Sequence, residues 1–392
     1  MRPHPGFVTA CLLLLCVSAP GVVAGTDTGL MRKGPYLIYT GVNTEMQVLW
    51  QLDSTATCEI MWGADTSYSL GSDETIEYGD DHQHSYTITD LVPGSRYFYR
   101  VIVDEEIFSG SYRTAPETDA TGIKFFAYGD SRSYPAVHDS VVAGMILEAI
   151  YDPGLQSFIL SVGDLVYNGD DESHWDDQFF DPSYPFIQTM LANFPYQATM
   201  GNHEGSGVLF QKYFPYPFVD DRYWSFDYGP AHFVVVDQYA KDPASQLAWI
   251  ADDLATTAKP WKFIYLHEPG WSAGYHGNNE EVQDYIQPLC EVYGVSIVFA
   301  GHNHYYARAV VNGVHHVTTG GGGAPLYTPR PGYPNIVATS KSYHFCMIEI
   351  DGNVLNFTAM KPDGEIIDSF MDYVPLYSGG HGHKVPAKMP GK

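Results

Sequence analysis

Short runs in which apolar and polar residues alternate occupy most of residues 34 to 114. Successive side chains of a strand point to opposite faces, so these runs predict β-strands, and the turn residues between them mark the connections. The pattern predicts an all-β region with strands at 46–52, 57–62, 84–89, 96–103 and 108–114. The alternation stops at 114–118, which we interpret as a linker.

From Ile123 onward, apolar strands alternate with amphipathic helices, a pattern typical of an α/β domain with buried strands. The predicted strands are 123–128, 157–162, 196–200, 232–236, 261–266 and 295–300. The predicted helices are 137–151, 243–258 and 279–293. After Ala300 the pattern becomes mostly β again, with strands expected at 314–319, 344–350 and 354–360.

The two ends of the chain have different compositions from the rest. Arg2 precedes an apolar run, and Val22-Val23-Ala24 supplies small residues for cleavage, so residues 1 to about 24 are predicted to be a signal peptide for secretion. An uncleaved anchor is the alternative, but the run is short for a membrane span, and no later run is long enough. Residues 376–392 are rich in glycine, histidine and lysine, which predicts a flexible tail.

Charge and cysteine content narrow the classes of function. The chain has 392 residues and a formal net charge of −26, which disfavours binding along a nucleic-acid backbone. An anionic substrate would therefore need a local positive charge, which bound metal cations would supply. Loss of the signal peptide removes two cysteines, and the three widely spaced ones that remain predict buried apolar side chains rather than disulfides. They are Cys58, Cys290 and Cys346.

Five short polar segments directly follow predicted strands. They are GDSR at 129–132, GDLVY at 163–167, GNHE at 201–204, LHE at 266–268 and GHNH at 301–304. In α/β sheets, ligands bind outside the carboxyl ends of strands, so these segments are expected to converge on one crevice. Carboxylate, carboxamide and imidazole groups suit Mn, Fe or Zn, and the lack of cysteine argues against a structural zinc site. The segments predict a catalytic metal centre.

The order of these motifs resembles that of the calcineurin-like metallophosphoesterases, and most closely that of the purple acid phosphatases. Residues 91–99 also resemble the tyrosine corner of a fibronectin type III sandwich, with Trp50 as its core tryptophan. The resemblance covers roughly residues 34 to 375. It implies a fibronectin III-like all-β sandwich with its linker at 25–116, followed at 117–375 by a four-layer α/β/β/α metallophosphoesterase domain with two mixed sheets.

The resemblance also implies a ligand set for two metal ions. Asp164 would bridge them; metal one would take Asp130, Tyr167 and His304, and metal two would take Asn202, His267 and His302. Arg132 stands where most of the superfamily has a histidine ligand, and arginine cannot ligate because it stays protonated. A Tyr167 phenolate suits Fe(III), so we expect Fe(III) beside a divalent ion of Fe, Zn or Mn. Arg132 either clamps a phosphate oxygen or forms a salt bridge to a neighbouring acid.

The implied activity is that of a secreted acid phosphatase. A hydroxide generated from water by the two metals would attack a small phosphomonoester, and His203 and His276 match family positions that contact substrate and assist the leaving group. His276 is alternatively a solvated loop residue, and Gly277 replaces a second histidine found in some relatives.

Other interpretations remain open. One is a phosphodiesterase that acts on a nucleotide or a phospholipid headgroup, and another is a non-catalytic secreted binding module with a degenerate metal site. The acidic run at 170–177 does not match a calcium-binding EF-hand loop and is expected to be solvated. No pattern indicates the physiological substrate or the oligomeric state.

Overall fold

The structure is a computed structural model that describes residues 30–79 and 81–375. The predicted signal peptide, with Cys11 and Cys16, and the predicted tail at 376–392 lie outside the described residues. Within the described part of the chain, no helix combines the length and the apolar character that crossing a membrane requires.

The N-terminal region consists of two antiparallel sheets. Its strands are β1 (Met31–Ile38), β2 (Met46–Leu52), β3 (Cys58–Gly63), β4 (Gly71–Thr75), β5 (Gln83–Ile88), β6 (Arg96–Val103) and β7 (Glu106–Arg113). One sheet has the order β1-β2-β5 and the other β4-β3-β6-β7. Their facing sides bury a shared apolar core that includes Trp50, Ile60 and Val101. All five strands predicted in this region are present, and β1 and β4 are additional.

The corner before β6 has the hydrogen bond expected from the sequence. The hydroxyl of Tyr97 accepts a hydrogen bond from the backbone N–H of Val92 at 2.9 Å. Trp50 is fully buried and stacks on His84 with ring centroids 5.3 Å apart. The Tyr97 hydrogen bond and the buried Trp50 are therefore both present in this region.

The rest of the chain builds two mixed sheets. Their strands are β8 (Gly122–Tyr128), β9 (Ile159–Ser161), β10 (Tyr196–Ala198), β11 (Trp224–Tyr228), β12 (Ala231–Val235), β13 (Trp261–Tyr265), β14 (Ile297–Ala300), β15 (Tyr306–Val311), β16 (Val314–Thr319), β17 (Ile336–Ser340), β18 (Phe345–Asp351), β19 (Val354–Met360) and β20 (Ile366–Tyr373). The six-stranded sheet has the order β10-β9-β8-β18-β19-β20, and the seven-stranded sheet β11-β12-β13-β14-β16-β15-β17. The strands β8, β9 and β10 are parallel to one another, as are β12, β13, β14 and β16.

Helices cover the outer faces of the two sheets. They are α1 (Pro135–Tyr151), α2 (Pro185–Asn193), α3 (Val208–Tyr213), α4 (Pro243–Thr256) and α5 (Gln287–Tyr293), with a short helical turn at Glu172–His174 and π-helical turns at Trp175–Phe179 and Val282–Ile286. Each long helix begins with a proline in its first turn, where the missing N–H is tolerated. The facing sheets bury aromatic rings such as Phe125, Phe233 and Phe263. This confirms the two mixed sheets between helices.

The acidic run at 170–177 is solvated only in part: Asp170, Asp171 and Asp177 are exposed, whereas Glu172 and Asp176 are partly buried. Glu172 and Asp176 form ion pairs with Lys33 at 2.9 and 2.5 Å, and Arg32 lies 2.6 Å from Asp176. Lys33 is fully buried, and desolvation lowers its pKa although both acids oppose the shift. A buried ammonium needs such partners, so β1 and the loop are tied together. The sequence could not pair residues so far apart.

The remaining cysteines match their prediction. Cys58, Cys290 and Cys346 are buried, and all three are free thiols. Burial raises the pKa of the Cys346 thiol to about 12, so it stays protonated at ordinary pH.

Candidate metal centre

The candidate site lies where the carboxyl ends of both mixed sheets meet. The loops after β8, β9 and β10 carry Asp130, Asp164 and Asn202, and the loops after β13 and β14 carry His267 and the pair His302 and His304. A hydrogen bond from His267 Nδ1 to the carbonyl of Val162, at 2.7 Å, joins the two edges. The five segments predicted to converge do so.

Glycines let the loops approach one another. A Cβ atom at position 201 would collide with Oδ1 of Asp164, and one at position 301 would collide with Oδ2 of Asp130. This explains why Gly201 and Gly301 precede the polar residues in their motifs.

Three of the proposed ligands have a left-handed backbone. The φ angles are 54° at Asp130, 56° at Asp164 and 64° at His302. This region is uncommon for residues other than glycine, and non-glycine examples cluster at functional sites. The strained turns aim these side chains into the crevice.

Four residues form what we call the second position: Asp164, Asn202, His267 and His302. Oδ1 of Asn202 lies 3.1 Å from His267 Nε2 and 2.9 Å from His302 Nδ1, and His267 Nε2 lies 3.3 Å from Oδ1 of Asp164. Because His267 Nδ1 donates to Val162, the Nε2 of the neutral ring carries a lone pair. Neutral His267 thus directs an acceptor at two oxygen acceptors, an arrangement that requires a cation or a proton among them.

The electrostatics at the second position favour extra positive charge. Burial lowers the pKa of His267, but the carboxylate of Asp164 outweighs burial and raises that pKa to about 10. Conversely, burial works to raise the pKa of Asp164, whereas His267 lowers it, with a net lowering. Burial together with His267 lowers the pKa of His302 to about 4, so the His302 ring is neutral at ordinary pH and one of its nitrogens has a free lone pair. These groups suit a metal cation.

The first position consists of Asp130, Asp164 and His304, with Tyr167 as its proposed fourth member. The first three are buried, and each places a ligand atom within 4.8 Å of the others. The backbone N–H of His302 donates to both oxygens of Asp130 at 3.1 and 3.0 Å, which fixes that carboxylate. His304 donates from Nδ1 to the carbonyl of Pro325 at 2.8 Å, so its Nε2 carries the lone pair.

Arg132 lies inside the first position. Its Nε is 3.2 Å from Oδ2 of Asp164, and its Nη2 is 3.3 Å from Nε2 of His304. The residue is 9% exposed. Of the two hypotheses for Arg132, the structure therefore contains the salt bridge, and its partner is the aspartate proposed to bridge the metals.

Tyr167 lies beside the cluster rather than within it. Its side chain is 54% exposed, and its ring centroid is 5.9 Å from Cζ of Arg132 and 5.6 Å from the ring of His203. Among residues 30–79 and 81–375, no hydrogen bond joins the Tyr167 side chain to Asp130, Asp164 or His304. The other six proposed ligands are together, and Tyr167 is not.

The two histidines proposed to assist the leaving group flank the ligands on different sides. The backbone N–H of His203 donates to Oδ1 of Asp164 at 2.9 Å, and its Nε2 is 3.9 Å from Oδ2 of the same residue. The ring of His276 lies over that of His302, with centroids 4.1 Å apart. Burial, followed by the proximity of His304, lowers the pKa of His276. Both histidines face the crevice.

The sequence reasoning did not single out Glu204 or Gln238. Glu204 is fully buried, and its carboxylate accepts hydrogen bonds from the N–H groups of Asp164, Leu165 and Gly201 at 3.0, 2.7 and 2.6 Å. Burial and Asp164 raise its pKa to about 7. In the sequence, the only indication that Glu204 belongs to the site was its place at the end of the GNHE motif. Gln238, which accepts from the N–H of His267 at 2.8 Å, left none.

The glycine-rich segment at 320–323, after β16, packs beneath the ligands. The N–H of Gly322 donates to the carbonyl of Gly129, and that of Ala324 to the carbonyl of Asp130, both at 2.8 Å. The segment therefore holds the loop that carries Asp130.

The fold and the site together define a calcineurin-like metallophosphoesterase. The calcineurin-like phosphoesterase family matches residues 143–306, a stretch that contains Asp164, Asn202 and His304. We assign the chain to this superfamily, and within it the chain is purple acid phosphatase-like. Membership implies a dinuclear metal centre.

Individual relatives agree with this assignment. Purple acid phosphatase 23 from Arabidopsis thaliana is 28% identical over 285 residues, an alignment that covers 60% of this chain and 60% of the plant protein. Purple acid phosphatase 21 from the same plant is 26% identical, and 56% of its length is covered. Acid phosphatase type 7 from Mus musculus is 25% identical, with 95% of this chain and 97% of the mouse protein covered. The chain thus spans less than two thirds of the plant relatives.

Solved structures share the fold at low sequence identity. A purple acid phosphatase from yellow lupin (Lupinus luteus) seeds superimposes with a TM-score of 0.70 at 19% identity, covering 87% of this chain and 74% of the lupin chain. The structure of PhoD gives a TM-score of 0.67 at 14% identity, covering 90% and 92% of the two chains. The likeness to both is a likeness of fold.

Proposed function

We propose that this chain is a metal-dependent phosphatase that hydrolyses phosphomonoesters at a dinuclear centre. The observation that carries the proposal is the second position, where His267 Nε2 lies 3.1 Å from Oδ1 of Asn202 and 3.3 Å from Oδ1 of Asp164. A metal cation is the partner that carboxylate, carboxamide and imidazole groups share.

The proposed roles follow from the contacts. When bound, the two metals would neutralise phosphate oxygens and lower the pKa of the attacking water. Asp164 holds both positions together because Oδ1 faces His267 and Oδ2 faces the first position. Glu204 fixes the backbone of the Asp164 loop through the N–H groups of Asp164 and Leu165, and ties it to its own loop through the N–H of Gly201. These residues set the geometry that brings a phosphate between the two positions.

The leaving group needs a proton, and His203 and His276 are proposed to supply it. His203 donates from Nδ1 to the carbonyl of Tyr167, which leaves Nε2 directed at the crevice. His276 is held through its backbone N–H, which donates to Oδ1 of Asn303 at 3.2 Å. A proton on either imidazole can be delivered to a leaving alkoxide on its own side of the crevice.

The proposed metal pair is Fe(III) at the first position and a divalent ion of Fe, Zn or Mn at the second. Support comes from donor chemistry, since a phenolate suits Fe(III) and Tyr167 follows Asp164 closely. Tyr167 would have to turn its exposed ring toward Asp130 to ligate. Such a centre is coloured, so a visible absorption band that disappears in Tyr167→Phe would support iron.

We also propose the remaining features of the domain organisation. Residues 1–24 would direct secretion, and residues 25–116 would form a fibronectin III-like domain with its linker. The strand orders β1-β2-β5 and β4-β3-β6-β7 and the Tyr97 corner support the second assignment. The metallophosphoesterase domain would occupy 117–375.

The test is hydrolysis by the purified chain of an aryl phosphomonoester and of its bis-ester under identical conditions. The proposal predicts faster turnover of the monoester, and turnover that Asn202→Ala removes. Faster turnover of the bis-ester would instead establish the phosphodiesterase alternative. Equal and negligible rates in wild type and Asn202→Ala would favour the non-catalytic binding module.

A further inference from the structure

We propose that Arg132 competes with the metal for the first position, so that the two positions bind metal unequally and the second position binds first. This inference rests on the proposed function only in taking Asp164 and His304 as metal ligands. It assigns Arg132 the role of an internal cation that must leave before the first metal can enter.

The guanidinium uses the atoms that a metal would need. Arg132 Nε donates to Oδ2 of Asp164 at 3.2 Å, and Nη2 lies 3.3 Å from Nε2 of His304. The lone pair of His304 faces Arg132 because its Nδ1 proton is committed to Pro325. A metal at the first position needs this lone pair and that carboxylate oxygen, so metal and guanidinium exclude each other there.

The positive charge of Arg132 also works against a metal at the first position. A like charge at hydrogen-bonding distance from the ligand atoms opposes metal entry. The side chain is also held: Nη1 donates to Oγ of Ser133 at 3.1 Å, and the backbone N–H donates to the carbonyl of Asp164 at 3.2 Å. Entry of the first metal therefore requires the guanidinium to swing away from Asp164.

Among residues 30–79 and 81–375, no lysine or arginine contacts Asn202, His267 or His302 at the second position. The contacts of Asn202 Oδ1 there are with the rings of His267 and His302, which are themselves proposed ligands. Arg132 reaches Oδ2 of Asp164 and leaves Oδ1 to His267 and to the backbone N–H of His203. The two oxygens of the Asp164 carboxylate therefore differ: Oδ1 is available to a metal at the second position, and the charge of Oδ2 is neutralised by Arg132.

Zinc titration of the metal-stripped full chain tests the inference without reference to activity. Isothermal titration calorimetry should resolve two binding steps for wild type, and His302→Ala should remove the tighter one. In the His302→Ala background, adding Arg132→Ala should tighten the remaining step by about tenfold or more, the scale on which groups around metal ligands act. Arg132→Gln, which keeps a long neutral side chain, should act in the same direction if the alanine variant folds poorly.

Arg308→Ala is the matched control. It removes a half-buried arginine whose Nε lies 2.7 Å from Asp368 in the β15 and β20 region, outside the metal centre. This variant should leave both zinc affinities unchanged. Melting curves recorded with chelator should show that each variant is folded before titration.

Three results would overturn the inference. They are two equal zinc sites in wild type, Arg132 variants that bind zinc within about twofold of their parent, and Arg308→Ala matching Arg132→Ala. Failure of the proposed function looks different, since zinc would then bind as predicted while no phosphomonoester is hydrolysed by any variant. Metal-dependent hydrolysis with unchanged zinc binding in the Arg132 variants would overturn this inference alone.

Discussion

The first and second positions of the metal centre use the same kinds of side chain, but they differ in the charged residues that neighbour these side chains. At the second position, His267 Nε2 lies close to Asn202 and Asp164, and among the described residues no arginine or lysine contacts Asn202, His267 or His302. At the first position, Arg132 already occupies two ligand atoms. The sequence motifs identify the ligands of both positions. They do not show that the ligands of the first position are less available to a metal, because that difference comes from the neighbouring charge of Arg132.

Removal of a ligand at the second position should have the largest effect. We expect His302→Ala to reduce phosphomonoester hydrolysis by about a thousandfold, since a bound metal supplies several kcal/mol and each 1.4 kcal/mol is a factor of ten. Steady-state rates on an aryl phosphate measure this. The control is His315→Ala, whose ring stacks on Phe370 at 3.9 Å, outside the centre, and which should retain activity. Retention of activity in His302→Ala would remove the basis for the second position.

Loss of His203 should have the next largest effect. His203→Ala should lower kcat by about a hundredfold, because general acid catalysis contributes on that scale. The loss should shrink for esters with good leaving groups, which need no proton. A uniform loss across leaving groups would show that His203 only supports the loop through its hydrogen bond to Tyr167.

Glu204 should affect metal binding because it positions the Asp164 loop, and not because it contacts substrate. Glu204→Gln keeps its shape but cannot accept all three backbone N–H groups as a carboxylate does, so zinc affinity at both positions should fall by about tenfold. Both positions are affected because Glu204 holds the loop of the shared Asp164. Calorimetry on metal-stripped protein checks this, and a change confined to one position would contradict it.

His276 should control the alkaline side of the pH profile. Burial first, and His304 second, lower its pKa below the ordinary 6.5, so its protonated form is lost as pH rises through a value below 6.5. If His276 donates a proton, kcat falls over that window, and His276→Gln should flatten the fall with only about a tenfold loss at acidic pH. A pH profile identical to that of wild type would assign the fall to another group.

The smallest effect on rate is expected for Tyr167→Phe. The side chain is 54% exposed and lies beside Arg132, so removing its hydroxyl should change the zinc-loaded rate by less than about threefold. The same substitution should abolish any visible band of iron-loaded protein. A band that survives would place another ligand on the iron.

The sequence predicted which ligands come together, but it did not predict how the side chains around them are oriented. Strand-end motifs predicted that Asp130, Asp164, Asn202, His267, His302 and His304 would meet, because loops at the carboxyl ends of parallel strands share one edge. The direction of the Tyr167 side chain was not predictable, since a residue after a strand can face either the crevice or solvent. Nor could the sequence choose between the two hypotheses for Arg132, which depend on distances between loops.

In the rest of the fold, alternation located the strands with one buried and one exposed face, such as β6 and β19. It missed β17 and β20, whose residues are mostly half-exposed and lie at the edges of their sheets. It also missed β1, where Lys33 interrupts the apolar pattern and is buried through ion pairs with Glu172 and Asp176. Burial of a charged residue depends on partners that are distant in sequence.

The central claim is that the ligand cluster makes this chain a metal-dependent phosphatase. The most direct measurement is the rate of phosphomonoester hydrolysis by chelator-stripped protein as metal is added back, in wild type and in Asn202→Ala. We predict that the stripped protein is inactive, that activity returns with metal in wild type, and that Asn202→Ala does not recover. Hydrolysis by the stripped protein at the rate of the metal-loaded protein would contradict the claim.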